Sequence, residues 1–420
     1  MNRRNFLQAL GYGGSVSALS ACGIDDNRYY TPIEQVLPYV VRPEQATPGT
    51  PTYFATTIGS GIHAYPNLAL HREGRVVNVT ANRATSAAPA VSSRALLELQ
   101  LHYSPDRFKQ PHSQGADTSW EEGLKQLSSA VAGKKLAYLG PYRSGAFVEL
   151  VNGVTGGNAV FYEPLGREAE AAASEKLFGT RALPAYDLDK AHYVLSFGAE
   201  FLGGSWGGAQ AQAAFAAGRN ANNGHFVARF ALCSAHRGQA GANADDWHKV
   251  TPGSEALVAL AVAKLVADKS GYRGPASKLV AGGDTAKAAA AAGIEASEIE
   301  AMAEHFGKAP AIALPGGVAG ASTGAADLAA AVFLLNVVSN HHLMHSGGYR
   351  GPIHGYDAVE KLIADMKSGS IGVLFLGDTN PVHTLPSDSG FAEALAAVPM
   401  SVSLSSHPGE TTKADKLVLP

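Results

Sequence analysis

Cysteine is nearly absent from the 420-residue sequence, which contains only Cys22 and Cys233. An iron–sulphur cubane takes about four thiolate ligands, so this chain cannot hold one by itself. Cys233 follows the apolar run 226–232, which is typical of a strand, and it is therefore expected to be a small buried residue. We predict neither a metal nor a cofactor bound by this chain, and no catalytic residue.

Long apolar runs, a strong net charge and familiar catalytic motifs are also missing. No segment is long and apolar enough to span a bilayer, so a membrane attachment would have to be made another way. The formal net charge of −3 gives no reason to expect nucleic acid as a partner. The sequence lacks GxGxxG, GxxxxGK(S/T), GxSxG and HExxH patterns, which argues against a simple NAD fold, a P-loop enzyme and the common hydrolases.

The N-terminus contains a predicted means of membrane attachment. A mildly apolar stretch follows a twin-arginine pattern typical of an export signal, formed by Arg3, Arg4, Phe6 and Leu7. Residues 19–22 resemble a lipobox, which predicts cleavage before Cys22 and lipidation of that cysteine. Glycines within the stretch argue against the alternative of a buried helix. We therefore expect a signal peptide at 1–22 and an exported protein on the periplasmic side of the membrane, held there by its lipid or its complex.

The remaining residues fall into segments of different composition. Residues 23–52 are polar and rich in proline, which predicts an extended arm. Residues 53–115 are expected to form a small β-rich region. Continuous apolar strands then alternate with helices, which predicts an α/β fold of two doubly wound, Rossmann-like parallel-sheet domains at 116–300 and 301–420. The second domain is expected to be truncated at its C-terminal end, because the sequence stops at the end of a predicted strand.

Individual strands and helices can be predicted from the same pattern. In the β-rich region, two strands flank a hairpin turn at Glu73 and Gly74. Later strands are predicted at 135–139, 159–162, 192–197, 226–232, 311–314, 372–376 and 401–404. Helices are predicted at 167–178, 254–267, 325–338, 358–366 and 391–397, with another beyond Trp206. A turn before a helix is predicted at 245–247, with Trp247 packed inward.

Three predicted strand ends are rich in glycine and polar residues. They include Gly198 after one strand, Gly316 and Gly317 after another, and Gly377, Asp378 and Asn380 after a third. Ligands of open parallel sheets bind just past such ends, where backbone amides can hold phosphate. The alternative, that these residues simply make the turns, is favoured for any single loop.

Histidines cluster at only one place in the chain. His341 and His345 are four residues apart, so on a helix they could share a metal. The glycines at 347 and 348 predict that the helix has already ended there. A supporting or surface role is therefore favoured over a metal site.

Several segments together resemble the molybdopterin oxidoreductase superfamily. The strand end 196–202, the Gly-Asp-Thr-Asn-Pro run 377–381 and the ending 410–420 are similar to that superfamily. Closer still is the B subunit of the bacterial alternative complex III, a quinol-oxidising respiratory complex, which is similar at 32–40, 54–57, 103–107 and 241–255. The resemblance covers nearly the whole chain and implies a molybdopterin-oxidoreductase-like fold.

The departures from the superfamily are as informative as the resemblance. Catalytic members usually open with a cysteine cluster, whereas the equivalent opening 56–63 contains no cysteine. The complex III branch is understood to have an empty molybdopterin-like domain, followed by a ferredoxin-like domain with iron–sulphur clusters. The resemblance therefore implies a non-catalytic scaffold that docks other redox partners. These are an iron–sulphur domain or subunit, a multi-haem cytochrome c subunit and an integral-membrane quinol-binding subunit.

Two other functions stay open. The chain could be an active molybdopterin-dependent oxidoreductase that binds a bis-guanine-dinucleotide cofactor at the Gly198, Gly316 and Gly377 loops, with Asp378 as a conceivable ligand. It could also be a periplasmic ligand-binding lipoprotein with two α/β lobes. Molybdenum content separates the first alternative from the scaffold, and purification alone or in a complex separates the second.

Overall fold

A computed structural model describes residues 50–59, 61–72, 74–85, 90–203, 206–221, 226–317 and 319–420. The predicted signal peptide with Cys22, and almost all of the predicted arm, lie outside these ranges. None of the helices described there is long and apolar enough to cross a membrane. The chain divides into two compact units, and the larger one, residues 53–70 and 76–420, contains both parallel sheets.

The predicted β-rich region contains a three-stranded sheet in the order β1-β2-β3. Its strands are β1 (Thr52–Ile58), β2 (Tyr65–Arg72) and β3 (Arg75–Ala81). Gly74 has a φ of +84°, which agrees with the predicted turn between β2 and β3. Helix α1 (Ser93–His102) follows, and the Ser92 side chain caps its first turn by accepting from the Ala95 amide.

A seven-stranded sheet has the order β5-β4-β16-β15-β14-β6-β7. The strands are β4 (His112–Ser113), β5 (Ala116–Asp117), β6 (Leu136–Gly140), β7 (Ala159–Phe161), β14 (Val373–Leu376), β15 (Met400–Ser403) and β16 (Leu417–Val418). All neighbours from β16 to β7 are parallel, and β4 and β5 are antiparallel additions at one edge. Its helices are α2 (Trp120–Val131), α3 (Ala146–Thr155), α12 (Tyr356–Lys367), α13 (Pro381–Thr384), α14 (Phe391–Ala397) and α15 (Glu410–Ala414).

A four-stranded parallel sheet has the order β11-β10-β9-β12. Its strands are β9 (Tyr193–Phe197), β10 (Arg229–Cys233), β11 (Asp246–His248) and β12 (Ala311–Pro315). The associated helices are α4 (Glu168–Phe178), α5 (Gly208–Gly218), α6 (Gln239–Ala242), α7 (Glu255–Ser270), α8 (Ala276–Val280), α9 (Thr285–Ala292), α10 (Ala296–Lys308) and α11 (Ala325–Ser339). A separate antiparallel pair joins β8 (Ala185–Tyr186) to β13 (Met344–His345).

Alanine-rich helices allow close packing in the core of this second sheet. Helices α7 and α11 contribute buried Ala and Val side chains to one cluster with the inner faces of β9, β10 and β12. The Asn336 side-chain amide on α11 is bonded to both the amide and the carbonyl of Ala313, at 2.8 and 2.9 Å. A buried polar side chain is thus satisfied while it fixes the helix against the strand.

The predicted fold class and nearly all predicted strands agree with the structure, but two predictions require correction. The sheets do not follow the predicted boundary at 300/301, because β12 pairs with β9 whereas β6 pairs with β14. The predicted turn at 245–247 is wrong, since β11 begins at Asp246. Trp247 is 37% exposed instead of packed inward, and its Nε1 donates to the Ser234 carbonyl.

Candidate functional site

Each parallel sheet reverses its strand order at one point. In the four-stranded sheet β9 lies between β10 and β12, and in the seven-stranded sheet β6 lies between β7 and β14. Ligands of open α/β sheets bind in the crevice outside the carboxyl ends of strands at such a point. Of the predicted loop residues, Gly198, Gly316 and Gly317 follow β9 and β12, whereas Gly377, Asp378 and Asn380 follow β14. The predicted residues therefore fall into two groups.

The first crevice is a cavity of about 570 Å³ lined by the loop after β12 and by residues 162–170. Its glycine loops pack backbone against backbone. A Cβ on Gly317 would lie 1.7 Å from the Gly198 carbonyl oxygen, and a Cβ on Gly198 would lie 2.8 Å from the Gly316 oxygen. These glycines are therefore required by the contact between the two loops.

Trp206 covers the glycine loop of the first crevice. The side chain is only 7% exposed, and a Cβ on Gly316 would lie 2.6 Å from both its Cδ1 and its Nε1. Within the described ranges, the buried Nε1 has no hydrogen-bond partner. The indole thus lies where a phosphate would have to approach this loop.

A buried ion pair supports the indole. Arg167 donates from Nε to Glu170 Oε1 at 2.6 Å and from Nη2 to Oε2, and its Nη1 donates to the Trp206 carbonyl at 3.2 Å. The guanidinium lies 4.3 Å from the centre of the indole ring. We call Trp206, Arg167 and Glu170 the Trp206 wall. Arg167 and Trp206 also line a neighbouring cavity of about 460 Å³ with Tyr186, so the wall separates two cavities.

Carboxylates dominate the remaining lining of the first crevice. Glu163, Glu168 and Glu200 line it, and burial raises the pKa of the first two. The Oε2 atom of Glu168 is buried without a partner among the described residues. Arg167 is the only basic side chain among the described lining residues, and it already forms an ion pair with Glu170. This negative, partly filled crevice does not fit the pyrophosphate of a dinucleotide cofactor.

The second crevice is a cavity of about 470 Å³ at the ends of β6 and β14. Arg143 follows β6, and Asp378 follows β14 with a φ of +46°, which is rare for a residue with a side chain. Helix α1 presents Arg94, Glu98 and His102 to the cavity from one face, four residues apart. In the part of the chain that is described, neither Arg94 nor Arg143 forms an ion pair. Unlike the first crevice, it keeps free guanidinium groups.

Two predicted residues of the second group have structural contacts. A Cβ on Gly377 would lie 2.1 Å from the Tyr138 hydroxyl oxygen. Asn380 accepts from the amide and hydroxyl of Thr411, at 3.0 and 2.6 Å, and donates to Glu410 at 2.6 Å. These bonds hold the start of α15 against the strand end. Only Asp378 of this group lines the second crevice.

The remaining candidate ligands of a metal are dispersed. Helix α11 ends at Ser339, so His341 and His345 do not share a helix face. His341 Nδ1 accepts from the Ala311 amide at 3.0 Å, and His345 bonds to Asp187 at 3.1 Å. Cys233 is buried, which raises the pKa of its thiol. The described ranges contain no group of three or more His, Cys, Asp or Glu side chains that could hold a metal ion.

Similarity to known proteins was found by sequence and by structure. No protein-family model matches the chain. It is 28% identical over 462 aligned positions to the menaquinone reductase, molybdopterin-binding-like subunit, of Nitratidesulfovibrio vulgaris, covering 100% of this chain and 65% of that one. Its fold is similar to that of acetylene hydratase from Pelobacter acetylenicus, with a TM-score of 0.66 and 12% identity, covering 87% of this chain and 61% of that one.

These similarities confirm the predicted resemblance to the molybdopterin oxidoreductases and the predicted fold class, since acetylene hydratase is a member of that family. The curated relative also carries a molybdopterin-like name. The chain spans less than two thirds of the length of either protein. The activity and the partners of the whole protein are therefore a matter for proposal.

Proposed function

We propose that this chain is a non-catalytic, molybdopterin-oxidoreductase-like scaffold subunit of a membrane-associated, quinone-reactive respiratory complex. The Trp206 wall is the observation that carries the proposal. A buried indole on Gly316 and a buried ion pair behind it fill the approach to the glycine loop. An anionic dinucleotide would have to displace these side chains and then lie beside Glu163, Glu168 and Glu200, which form no ion pair in the described part of the chain.

The scarcity of sulphur ligands supports the same function. Two cysteines in the sequence are too few for a cubane cluster, which needs about four thiolates. Electrons therefore pass through partners and not through this chain. The partners we propose are an iron–sulphur domain or subunit, a multi-haem cytochrome c subunit and an integral-membrane quinol-binding subunit. Membership of a complex that reacts with quinones is supported by the similarity of the chain to a menaquinone reductase subunit.

The type of complex and the location are finer proposals. We favour a quinol-oxidising complex of the alternative complex III type, on the residues at 32–40, 54–57, 103–107 and 241–255. The twin-arginine pattern and Cys22 support an exported protein on the periplasmic side, anchored by a lipid or by its complex.

The test is a metal analysis of the native complex. The full chain, tagged at its C-terminus, is purified from membranes in mild detergent, and molybdenum, tungsten, iron and haem are measured per chain. We expect iron and haem from the partners, with molybdenum and tungsten far below one per chain. About one molybdenum or tungsten per chain with bound pterin would refute the scaffold in favour of an active molybdopterin enzyme. Purification of the chain alone, without redox partners, would favour a ligand-binding lipoprotein.

Membrane attachment has a separate test. Mass spectrometry of the mature N-terminus should find an acylated Cys22, and Cys22→Ser should lose that acylation. An unmodified Cys22 in the wild-type protein would exclude it as the anchor without affecting the scaffold proposal.

A further inference from the structure

We propose that a small cavity between the N-termini of α1 and α5 binds a phosphate group. We call it the α1–α5 cavity. It has a volume of about 230 Å³ and is distinct from both crevices, although Arg94 lines the second crevice as well. This inference does not depend on the proposed function, because it concerns a cavity to which the scaffold proposal assigns no role.

Two helices begin at this cavity. Ser92, Ser93 and Arg94 at the start of α1 line it, and so do Gly208 and Ala209 at the start of α5. The first amides of a helix have no acceptor within the helix, and the helix dipole places partial positive charge there. Two such N-termini at one cavity repel each other, and an anion between them removes that repulsion.

Two amides at the start of α1 remain available to a ligand. The Ser92 hydroxyl accepts from the Ala95 amide at 3.1 Å. Within the described ranges, no acceptor is found for the amides of Ser93 and Arg94. Both can therefore donate to an anion bound at this end of the helix.

The charged side chains of the lining favour an anion as well. Arg94 is close enough to His63 and Tyr65 that its charge lowers the pKa of both. It also lowers the pKa of Glu163, but that acid lines the first crevice and forms no ion pair with Arg94 in the part of the chain that is described. No Asp or Glu is found among the described lining residues of the α1–α5 cavity, in contrast to both crevices.

A buried histidine is the second and independent observation. His63 lines the cavity and is only 7% exposed. Its Nδ1 lies 3.5 Å from the Tyr65 hydroxyl, at the limit of a hydrogen bond, and no partner of its Nε2 is found among the described residues. Nor is Nε2 one of the unpartnered atoms that are sealed inside the described part of the fold. The imidazole thus presents an unused nitrogen to the cavity.

The protonation of His63 makes that nitrogen a donor. The Tyr65 hydroxyl accepts from the Ala209 amide, so its own proton is directed at Nδ1 of His63. Burial, together with the charges of Arg94 and Arg167, lowers the pKa of His63 to about 4. The ring is therefore neutral at pH 7 and carries its proton on Nε2. A buried donor without an acceptor is uncommon and often marks a missing ligand or water.

The arrangement of the donors and the size of the cavity indicate a phosphate group. Donors reach the cavity from the backbone of α1, from the Arg94 guanidinium and from His63 before β2. A tetrahedral oxyanion presents acceptor oxygens in all these directions, whereas a carboxylate presents two oxygens in one plane. Sites for drug-sized ligands have volumes of roughly 300 to 1,000 Å³, so this smaller cavity suits a phosphate group and not a dinucleotide.

Isothermal titration of the purified full chain with inorganic phosphate, at an ionic strength held constant with sodium chloride, tests this inference. We expect phosphate to bind and Arg94→Gln to weaken its binding about tenfold, as loss of a charge-assisted hydrogen bond predicts. Arg143→Gln is the matched control, because Arg143 lines the second crevice together with Arg94 but does not line the α1–α5 cavity. The proposal is overturned if phosphate gives no heat up to about 10 mM, or if both substitutions weaken binding equally, which would place the anion in the second crevice.

The titration of His63 supplies a second readout that leaves Arg94 in place. An anion bound beside the imidazole favours its charged form, so phosphate should raise the pKa of His63 above its value of about 4. NMR spectra of the ring measure this pKa, and His63→Gln identifies its signals among those of the 15 histidines. If saturating phosphate leaves the pKa where sodium chloride at the same ionic strength leaves it, the anion is not bound at His63 and the proposal is wrong.

The phosphate group has two possible sources, the free ion and a phosphomonoester. Glycerol 3-phosphate is the monoester probe in the same titration. If it binds at least as tightly as inorganic phosphate, the natural ligand is a monoester, and if it binds more weakly, the natural ligand is the free ion. Absence of binding by both refutes the phosphate site without affecting the scaffold proposal, which is tested by metal content.

Discussion

In both parallel sheets a crevice opens where the strand order reverses, after β9 and β12 in one and after β6 and β14 in the other. The first crevice is closed by the Trp206 wall and lined by Glu163, Glu168 and Glu200, which form no ion pair within the described ranges. The second is lined by Arg94 and Arg143 and by Asp378 in a left-handed backbone conformation. Topology thus fixes where a ligand can bind, whereas side chains from distant segments decide whether it can and with which charge.

Of the changes that test this comparison, removal of the Trp206 indole should have the largest effect on the free energy of unfolding. Trp206→Ala deletes a buried side chain that contacts Gly316 and Arg167 and separates two cavities. We expect the free energy of unfolding to fall by about 4 kcal/mol, as for other buried Trp→Ala changes. Urea denaturation of the full chain measures it. Trp120→Ala, at a position that is 47% exposed, is the control and should change stability far less.

A loss near zero for Trp206→Ala would mean that the indole is not packed on the loop. The first crevice would then be open like the second. The contrast between the two crevices, and with it the main support for a scaffold, would disappear.

Loss of the ion pair between Arg167 and Glu170 should have the next largest effect on stability. Glu170→Gln removes the carboxylate partner of Arg167, whose side chain is only 12% exposed. A buried guanidinium left without its counter-charge costs about 3 kcal/mol, which denaturation can measure. Glu304→Gln breaks an exposed pair with Lys308 on α10 and should leave stability nearly unchanged. Equal effects of the two substitutions would show that the wall is hydrated.

Asp415 is a buried acid between α15 and β16 of the seven-stranded sheet, and it does not line the second crevice. Burial raises its pKa from the ordinary 3.8 to about 7, against the opposing effect of the Ser401 hydroxyl. The folded chain therefore binds this proton more tightly than the unfolded chain. Its contribution to stability is complete below pH 3.8 and is lost as the pH rises to about 7.

Asp415→Asn should therefore flatten the pH dependence of stability. We expect the variant to exceed the wild type by about 2 kcal/mol at pH 8 and to match it near pH 4, measured by denaturation across that range. If the stability of the wild type does not decrease as the pH rises across that range, Asp415 is charged and solvated.

The sequence allowed much of the fold to be predicted. Apolar runs bounded by glycine predicted β9 and β12 to within a residue or two, and hence the positions of Gly198, Gly316 and Gly317. The domain boundary was not predictable, because β12 pairs with β9 across an interval of more than one hundred residues. Local pattern contains no information about such pairings.

The Trp206 wall was missed for a related reason. Arg167 and Trp206 are 39 residues apart, and the Trp206 indole contacts Gly316 only after the sheet has assembled. Nothing adjacent to any of the three in the sequence marks the contact. The one available signal is a tryptophan flanked by small residues shortly after the Gly198 strand end, and the sequence pattern there predicts only a helix beyond it.

The smallest predicted effect concerns the backbone of the second crevice. Asp378 has a φ of +46°, a conformation that costs a residue with a Cβ about 1 kcal/mol relative to glycine. Asp378→Gly should therefore stabilise the fold by up to about 1 kcal/mol, and Asp378→Asn, which also tolerates this conformation, should leave it nearly unchanged. Thermal denaturation of the three proteins in parallel measures both. If glycine instead destabilises the chain and asparagine does so equally, the carboxylate makes a favourable electrostatic interaction with the guanidinium of Arg94 or Arg143. The second crevice would then be partly neutralised by its own side chains, as the first is at Glu170.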